Sequence, residues 1–262
     1  MKALILAAGR GKRLKPITHR IPKTLIKIED KPILGHILSS IKSCGIKDVV
    51  IVTGYRHKLI KKYVGDGSKW GLNVSYCHNK NYKNTENIYS VKLAANELLG
   101  DDLVLLNADD LFSPVILKRL VETEGDVVLA VDGEGTLGSE EMKVSVDENG
   151  RVVAVSKNLD PTESFGEDIG VMKFSKEGGK MFLDAIDQII NEKGPYFYFQ
   201  EALDYLATQQ YPITFVDVKD EPWIEIDDHF DLKWAKTPIV QMILDRIRAM
   251  GRRIKRIRKK SK

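Results

Sequence analysis

Short apolar runs alternate with amphipathic stretches along most of this chain. Residues 3–8 (ALILAA), 48–54 (DVVIVTG), 73–77 (NVSYC), 103–110 (LVLLNADD) and 126–131 (DVVLAV) are aliphatic or β-branched and of strand length. Between them, residues 32–45, 57–67, 88–100 and 114–124 carry apolar positions at helical spacing. Gly45 and Gly100 each stand between such a stretch and the next apolar run, where a helix would stop. Alternation of this kind predicts an α/β fold built on a parallel, doubly wound sheet with helices on both faces.

After Val131 the pattern turns richer in strands. Two alternating segments flank Glu148-Asn149-Gly150, and Asn-Gly tolerates the positive φ of a tight hairpin turn. Helices are predicted over residues 178–191 and 199–208, then strands at residues 213–218 and 223–228. Beyond Pro238, Ile239, Ile243, Ile247, Met250, Ile254 and Ile257 recur every three or four residues, which predicts an apolar stripe on a basic helix. The expected division is residues 1–236 as one domain and 237–262 as an appended helix or tail.

Composition narrows the picture. At 262 residues and 43% hydrophobic, the chain can bury a sizeable core. The net charge of +4 is uneven, because residues 246–262 hold ten Lys and Arg and no acid, which leaves the remainder net acidic. A body of that charge is a poor nucleic-acid binder, so any anion site within it must be local. The first apolar run is too short to span a bilayer and lacks the flanks of a signal peptide, so a cytoplasmic location is expected. Cys44 and Cys77 are isolated and support neither a zinc site nor a disulfide. The tail has two readings. It packs on its own domain or on a twin subunit, or it lies on an anionic membrane surface or a membrane-embedded partner, peripheral at the inner face.

The chemistry concentrates after the first run, in LILAAGRGKRLKP. Gly9 and Gly11 free the backbone to turn successive amides toward one anion, and Arg10, Lys12, Arg13, Lys15 and Lys23 add positive charge. A Walker loop does not fit, because Leu6 and Arg13 stand where it needs glycine and Ser or Thr, and a dinucleotide fingerprint does not, because Leu14 stands where it needs a third small residue. Asp109 and Asp110 end an apolar strand, where open α/β sheets bind ligands. As strand neighbours they point to opposite faces and so take different roles, while Glu225 and Asp227 share a face by period two. Taken singly, Asp110, Glu225 and Asp228 read as helix caps or surface pairs. None of the five histidines lies in these motifs.

LAAGRGKRLKP with Pro22-Lys23, NTENIYSVKLA, LLNADDLF, EEMKVSVDENGRVVAVSKNL, GEDIGVMKFS and PWIEIDD together resemble the sugar- and small-alcohol-phosphate nucleotidyltransferases. Within them the likeness is to the cytidylyltransferases for phosphocholine, glycerol phosphate and inositol phosphate, and it covers roughly residues 1–236. The resemblance implies a Rossmann-like mixed sheet with a small inserted β-rich substrate portion. It implies transfer of CMP from CTP to a small phosphorylated alcohol with Mg²⁺ as cofactor; a sugar 1-phosphate accepting UMP, GMP or TMP is the alternative. By position it assigns Leu6, Ala7, Ala8, Gly9, Gly11, Arg13, Lys23, Asn87 and Asp109 to the nucleotide. Arg13, Lys23, Asp109 and Asp227 fall to catalysis, with Asp109 and Asp227 as metal ligands. Tyr89, Lys157, Glu167 and Glu225 fall to the acceptor. A metal-dependent glycosyltransferase fits less well, because its D-x-D is replaced by Ala108-Asp109-Asp110. A non-enzymatic module is disfavoured by the retained Arg13, Lys23, Asp109 and Asp227.

Overall fold

A computed structural model describes residues 1–235, 241–243 and 245–246. The chain opens with β1 (Lys2–Ala7), a small hairpin of β2 (Lys27–Ile28) and β3 (Lys31–Pro32), then α1 (Ile33–Ser43), β4 (Asp48–Thr53), α2 (His57–Val64) and β5 (Asn73–His78). It continues through α3 (Asn87–Leu98), β6 (Leu103–Asn107), β7 (Asp110–Phe112), α4 (Pro114–Glu122), β8 (Val127–Asp132), β9 (Lys143–Val146), β10 (Val152–Ser156) and β11 (Gly166–Phe174). The last elements are α5 (Lys176–Lys193), α6 (Gln200–Thr208), β12 (Ile213–Asp217), β13 (Trp223–Glu225) and α7 (His229–Trp234).

Among the described residues, nine strands join one sheet whose main path is β10-β9-β11-β6-β1-β4-β5, with β8 and β12 branching from β11. β6, β1, β4 and β5 are mutually parallel, and β11 enters antiparallel to β6. The sheet is therefore mixed. Side chains of β1 alternate between its faces: Ala3, Ile5 and Ala7 pack in one core layer and Leu4 in the other. α1 and α4 cover the first layer, while α3, α5 and α6 cover the second. That two-sided cover explains why the central strands read as continuous apolar runs.

β1 pairs with β4 on one side and with β6 on the other, although β6 follows β4 and β5 in the chain. The order of strands reverses there, and a crevice opens beyond the carboxyl ends of β1 and β6 at such a switch point. The glycine loop leaves β1 at this crevice, and Asp109 follows β6 into it.

β11 holds the other wall. Its pairing with β8 breaks register between Asp168 and Met172, and Gly170 occupies the bulge at φ +72°. A β-carbon at Gly170 would lie 2.1 Å from Asn107 Nδ2 and 2.7 Å from Asp110 Oδ2, so only glycine lets β11 pass this close. The predicted hairpin forms as β9 and β10 around Asp147–Arg151. Of the predicted C-terminal helix, most residues lie outside those described. Ile243 is buried in the first core layer and Arg246 pairs with the buried Glu221.

Candidate active site

The crevice is a cavity of about 1130 Å³, lined by the glycine loop, Lys23, Asp109, and side chains from the segments before α3, along β11, before α6 and around β13. Leu6, Ala7, Ala8, Gly9, Gly11 and Arg13 all line it. Gly11 adopts φ +56°, where a β-carbon would press on Lys23 Cβ at 2.9 Å. Thr18 Oγ1 donates to Gly11 O at 2.8 Å and holds the loop against Lys23. A β-carbon at Gly9 would meet no protein atom within 4 Å, so that space belongs to the cavity. The loop's own hydrogen bonds begin with Leu14 N to Gly11 O at 3.2 Å. Among the described residues the amides of Gly9, Arg10, Gly11 and Lys12 donate to nothing.

Lys23 is the pivot of the site. Its side chain is buried, and Nζ donates to Asp109 Oδ2 at 2.7 Å and to Asp227 Oδ1. Burial pulls the ammonium's pKa down, but the charges of Asp109 and Asp227 outweigh it and the net shift is upward. Arg13 Nη1 donates to the other oxygen of Asp227 at 2.6 Å and remains largely exposed to the cavity. Glu225 joins the cluster: one oxygen from each of Asp109, Glu225 and Asp227 lies within 4.8 Å of the others. Glu225 is open to the cavity yet walled by protein, and that desolvation, with the charges of Asp109 and Asp227, pushes it up to about 8.

Three convergent carboxylates with one ammonium between two of them form a set of hard oxygen donors already organised around a cation. Such donors suit Mg²⁺, which keeps several waters and few protein ligands. The residues therefore fit the metal that the motif implies, with Glu225 added to Asp109 and Asp227. The expectation that Glu225 forms an incidental surface pair is corrected: β13 pairs with β7, opposing Glu225 to Asp110 beside Asp109.

A second polar group surrounds the β11 bulge. Asp110 is only 2% exposed, and its Oδ2 has no hydrogen-bond partner. Burial and the neighbouring Asp109 and Glu225 drive its pKa strongly upward. It neither caps a helix nor pairs at the surface, contrary to the sequence reading, because β7 turns it inward against Gly170. Asp168 Oδ1 accepts from Gly170 N at 3.1 Å, and its Oδ2 accepts from Gln200 Nε2 at 2.9 Å; burial pushes it up to about 6. Glu167 rises to about 7 through burial and the charges of Glu141, Asp168 and Asp132. Gln200 had no signal in the sequence, since a glutamine opening a helix is ordinary.

The remaining assignments divide. Lys157 and Glu167 line the cavity, and Lys157 Nζ lies over the Tyr198 ring at 5.1 Å. Asn87 lines it as well, with Oδ1 accepting from Phe199 N at 2.8 Å, so it fastens the start of α6 rather than capping α3. Ser90 faces the cavity and accepts from Asn79 Nδ2 at 3.2 Å. Tyr89 is absent from the lining. On a helix, positions three apart share a face, so Asn87 and Ser90 face inward while Tyr89 is turned away. Asp228 caps α7 in a reciprocal capping box with Asp231, as its bland reading held.

A nucleotide-sized crevice at a switch point, with a glycine loop on one side and acids around a buried lysine on the other, defines an α/β protein of the nucleotide-handling class. The chain belongs to the nucleotidyl transferase family, whose model matches residues 2–132. It is 29% identical over 248 residues to the CMP-5'-(3-aminopropyl)phosphonate synthase of Streptomyces rubellomurinus, which covers 90% of this chain and 38% of that protein. It is 33% identical over 165 residues to the glucose-1-phosphate thymidylyltransferase of Streptomyces antibioticus, covering 60% of this chain and 44% of that one. The chain thus spans less than half the length of these two relatives. Among solved structures, the inositol-1-phosphate CTP transferase from T. maritima shares the fold, with a TM-score of 0.76, 24% identity and coverage of 94% of this chain and 95% of that one.

Proposed function

We propose that this chain transfers CMP from CTP to a small phosphorylated alcohol, releasing pyrophosphate and forming a CDP-alcohol. The observation that carries the reading is Lys23, held between Asp109 and Asp227 in the same cavity that the Gly9–Gly11 loop lines. The loop amides and Arg13 receive the triphosphate, and the open space at Gly9 lets phosphate approach the backbone. Asp109 and Asp227, with Glu225 beside them, hold Mg²⁺, which when bound neutralises triphosphate charge and fixes its geometry.

The acceptor phosphate is anionic near neutral pH, so its oxygen attacks the α-phosphorus in line without a general base, and pyrophosphate leaves. Lys23 and Arg13 stabilise the charge that develops in that step. No histidine is needed. Lys157 and Glu167 line the same cavity, and in this reading they serve the acceptor. The preference for CTP rests on the NTENIYS and PWIEIDD stretches and on the relative named for forming a CMP-phosphonate.

Product analysis by mass spectrometry and ³¹P NMR tests the reading. A product in which the nucleotide α-phosphate and the acceptor phosphate form one diphosphate is expected. Release of CMP or of inorganic phosphate alone would exclude it.

A further inference from the structure

Residues 133–142 join β8 to β9 and bring Glu140 to the cavity, whose lining it joins. One of its oxygens, Oε2, lies 3.5 Å from Arg13 Nη2 and 3.9 Å from Lys157 Nζ. A single carboxylate oxygen thus pairs at once with the cation assigned to the triphosphate and with the cation assigned to the acceptor. Both separations exceed hydrogen-bond length, and the Glu140 side chain is 72% exposed.

The backbone of that connection is braced where Glu140 leaves it. Lys143 is 1% exposed, and its Nζ donates to Gly138 O at 2.8 Å and to Glu141 O at 3.1 Å. Glu141 Oε2 accepts from Gly138 N at 2.7 Å and closes the turn. Glu140 is therefore kept beside the cavity by its neighbours, while its own side chain can swing between the two cations and solvent. Arg13 is pinned from another side, with Nη1 donating to Asp227 Oδ2 at 2.6 Å, and Lys157 rests on the Tyr198 ring. Both ends of the Arg13 fork thus face protein carboxylates. A phosphate that takes Arg13 through both nitrogens must evict one of them, and Glu140 is the more exposed and the more loosely held.

We propose that Glu140 is an internal competitor for the phosphate site: its carboxylate occupies the place between Arg13 and Lys157 until substrate phosphate displaces it. A phosphate carries more charge and more acceptor oxygens than a carboxylate, so it wins that exchange, but each binding event gives up the Glu140 pairs. The contact weakens phosphate binding and takes no part in the reacting step. The inference rests on the reading of this cavity as a nucleotidyltransferase site, in which Arg13 meets the triphosphate and Lys157 the acceptor phosphate.

Calorimetric titration of the full chain with pyrophosphate in Mg²⁺ tests it, in the wild type and in Glu140→Gln, which keeps the shape of the side chain and removes its charge. Glu140→Gln should bind pyrophosphate about two- to fivefold more tightly, the scale for exposed ion pairs given up on binding. Its KM for the triphosphate should fall while kcat does not rise. In an Arg13→Gln background the gain from Glu140→Gln should fall toward one. Glu134→Gln removes a charge from the same connection, but one paired with Lys219, and should leave pyrophosphate affinity unchanged. Equal or weaker binding by Glu140→Gln, a gain that Glu134→Gln reproduces or that survives in Arg13→Gln, or no pyrophosphate binding by either chain would overturn the proposal. Its failure is separable from failure of the transfer reading. Pyrophosphate release from a triphosphate with equal pyrophosphate affinities overturns the competitor alone, whereas tighter pyrophosphate binding by Glu140→Gln without release from any triphosphate overturns the transfer reading alone.

Discussion

Lys23 Nζ lies 2.7 Å from Asp109 Oδ2, and the same ammonium meets Asp227 on its other side. One buried cation thus ties the end of β6 to the segment after β13 and offsets the repulsion among Asp109, Glu225 and Asp227. Lys23→Met should lower turnover by about a hundredfold or more, the scale for losing one preorganised charge partner at the reacting centre. It should also lower the thermal midpoint, and added Mg²⁺ should raise the variant's midpoint more than the wild type's. Differential scanning fluorimetry with and without Mg²⁺ checks this; an unchanged midpoint would show that Lys23 does not hold the acids together.

Asp109→Asn should abolish turnover and weaken binding of Mn²⁺, used as a paramagnetic probe, while the fold survives. The same substitution removes a negative neighbour of Glu225, so the Glu225 pKa should move down from about 8. Carboxyl-carbon NMR titration reads that shift directly. Mn²⁺ binding equal to wild type would remove Asp109 from the metal site.

The two loop glycines should respond differently. Gly11→Ala places a side chain at φ +56° against Lys23, so a loss of roughly 1–2 kcal/mol in stability is expected together with lost turnover. Gly9→Ala meets no protein atom, so stability should hold while the KM for nucleotide rises. Equal stability losses in chemical denaturation would contradict the assignment of the Gly9 space to the ligand.

Much of this was legible in the sequence, for a local reason. The glycine loop, Asp109 at a strand end, and the shared face of Glu225 and Asp227 all follow from patterns a few residues long. The mixed character of the sheet and the family followed from motifs spread along the chain. What escaped depends on pairing between distant segments. Strand alternation led to different roles for Asp109 and Asp110, but β6 ends at Asn107 and Asp110 opens β7, so that break separates them, and the burial of Asp110 depends on β11 bulging at Gly170. Gln200 enters the site only because Asp168 lies across from the start of α6. Tyr89 was drawn in by its motif and turned out by the helical phase of α3.

Asp168 gives a pH test. Its pKa is raised by burial from the ordinary 3.8 to about 6, so the folded state holds a proton that the unfolded state has already released in that window. Stability contributed by the protonated form is present below pH 4, and is lost as pH rises to about 6, above which both states are ionised. Relative to Asp168→Asn, which stays neutral, the wild type should therefore become progressively less stable between those limits and no further above them. Paired denaturation curves from pH 4 to 8 check this, and a difference that does not vary with pH would place Asp168 in a compensated environment.

The most direct test of the account is pyrophosphate release from the full chain in Mg²⁺, crossing the common nucleoside triphosphates against small alcohol phosphates and sugar 1-phosphates. Release confined to CTP with an alcohol phosphate, lost in Asp109→Asn and Asp227→Asn, is the predicted result. Release with UTP or dTTP and a sugar 1-phosphate, or release unaffected by those substitutions, would contradict it.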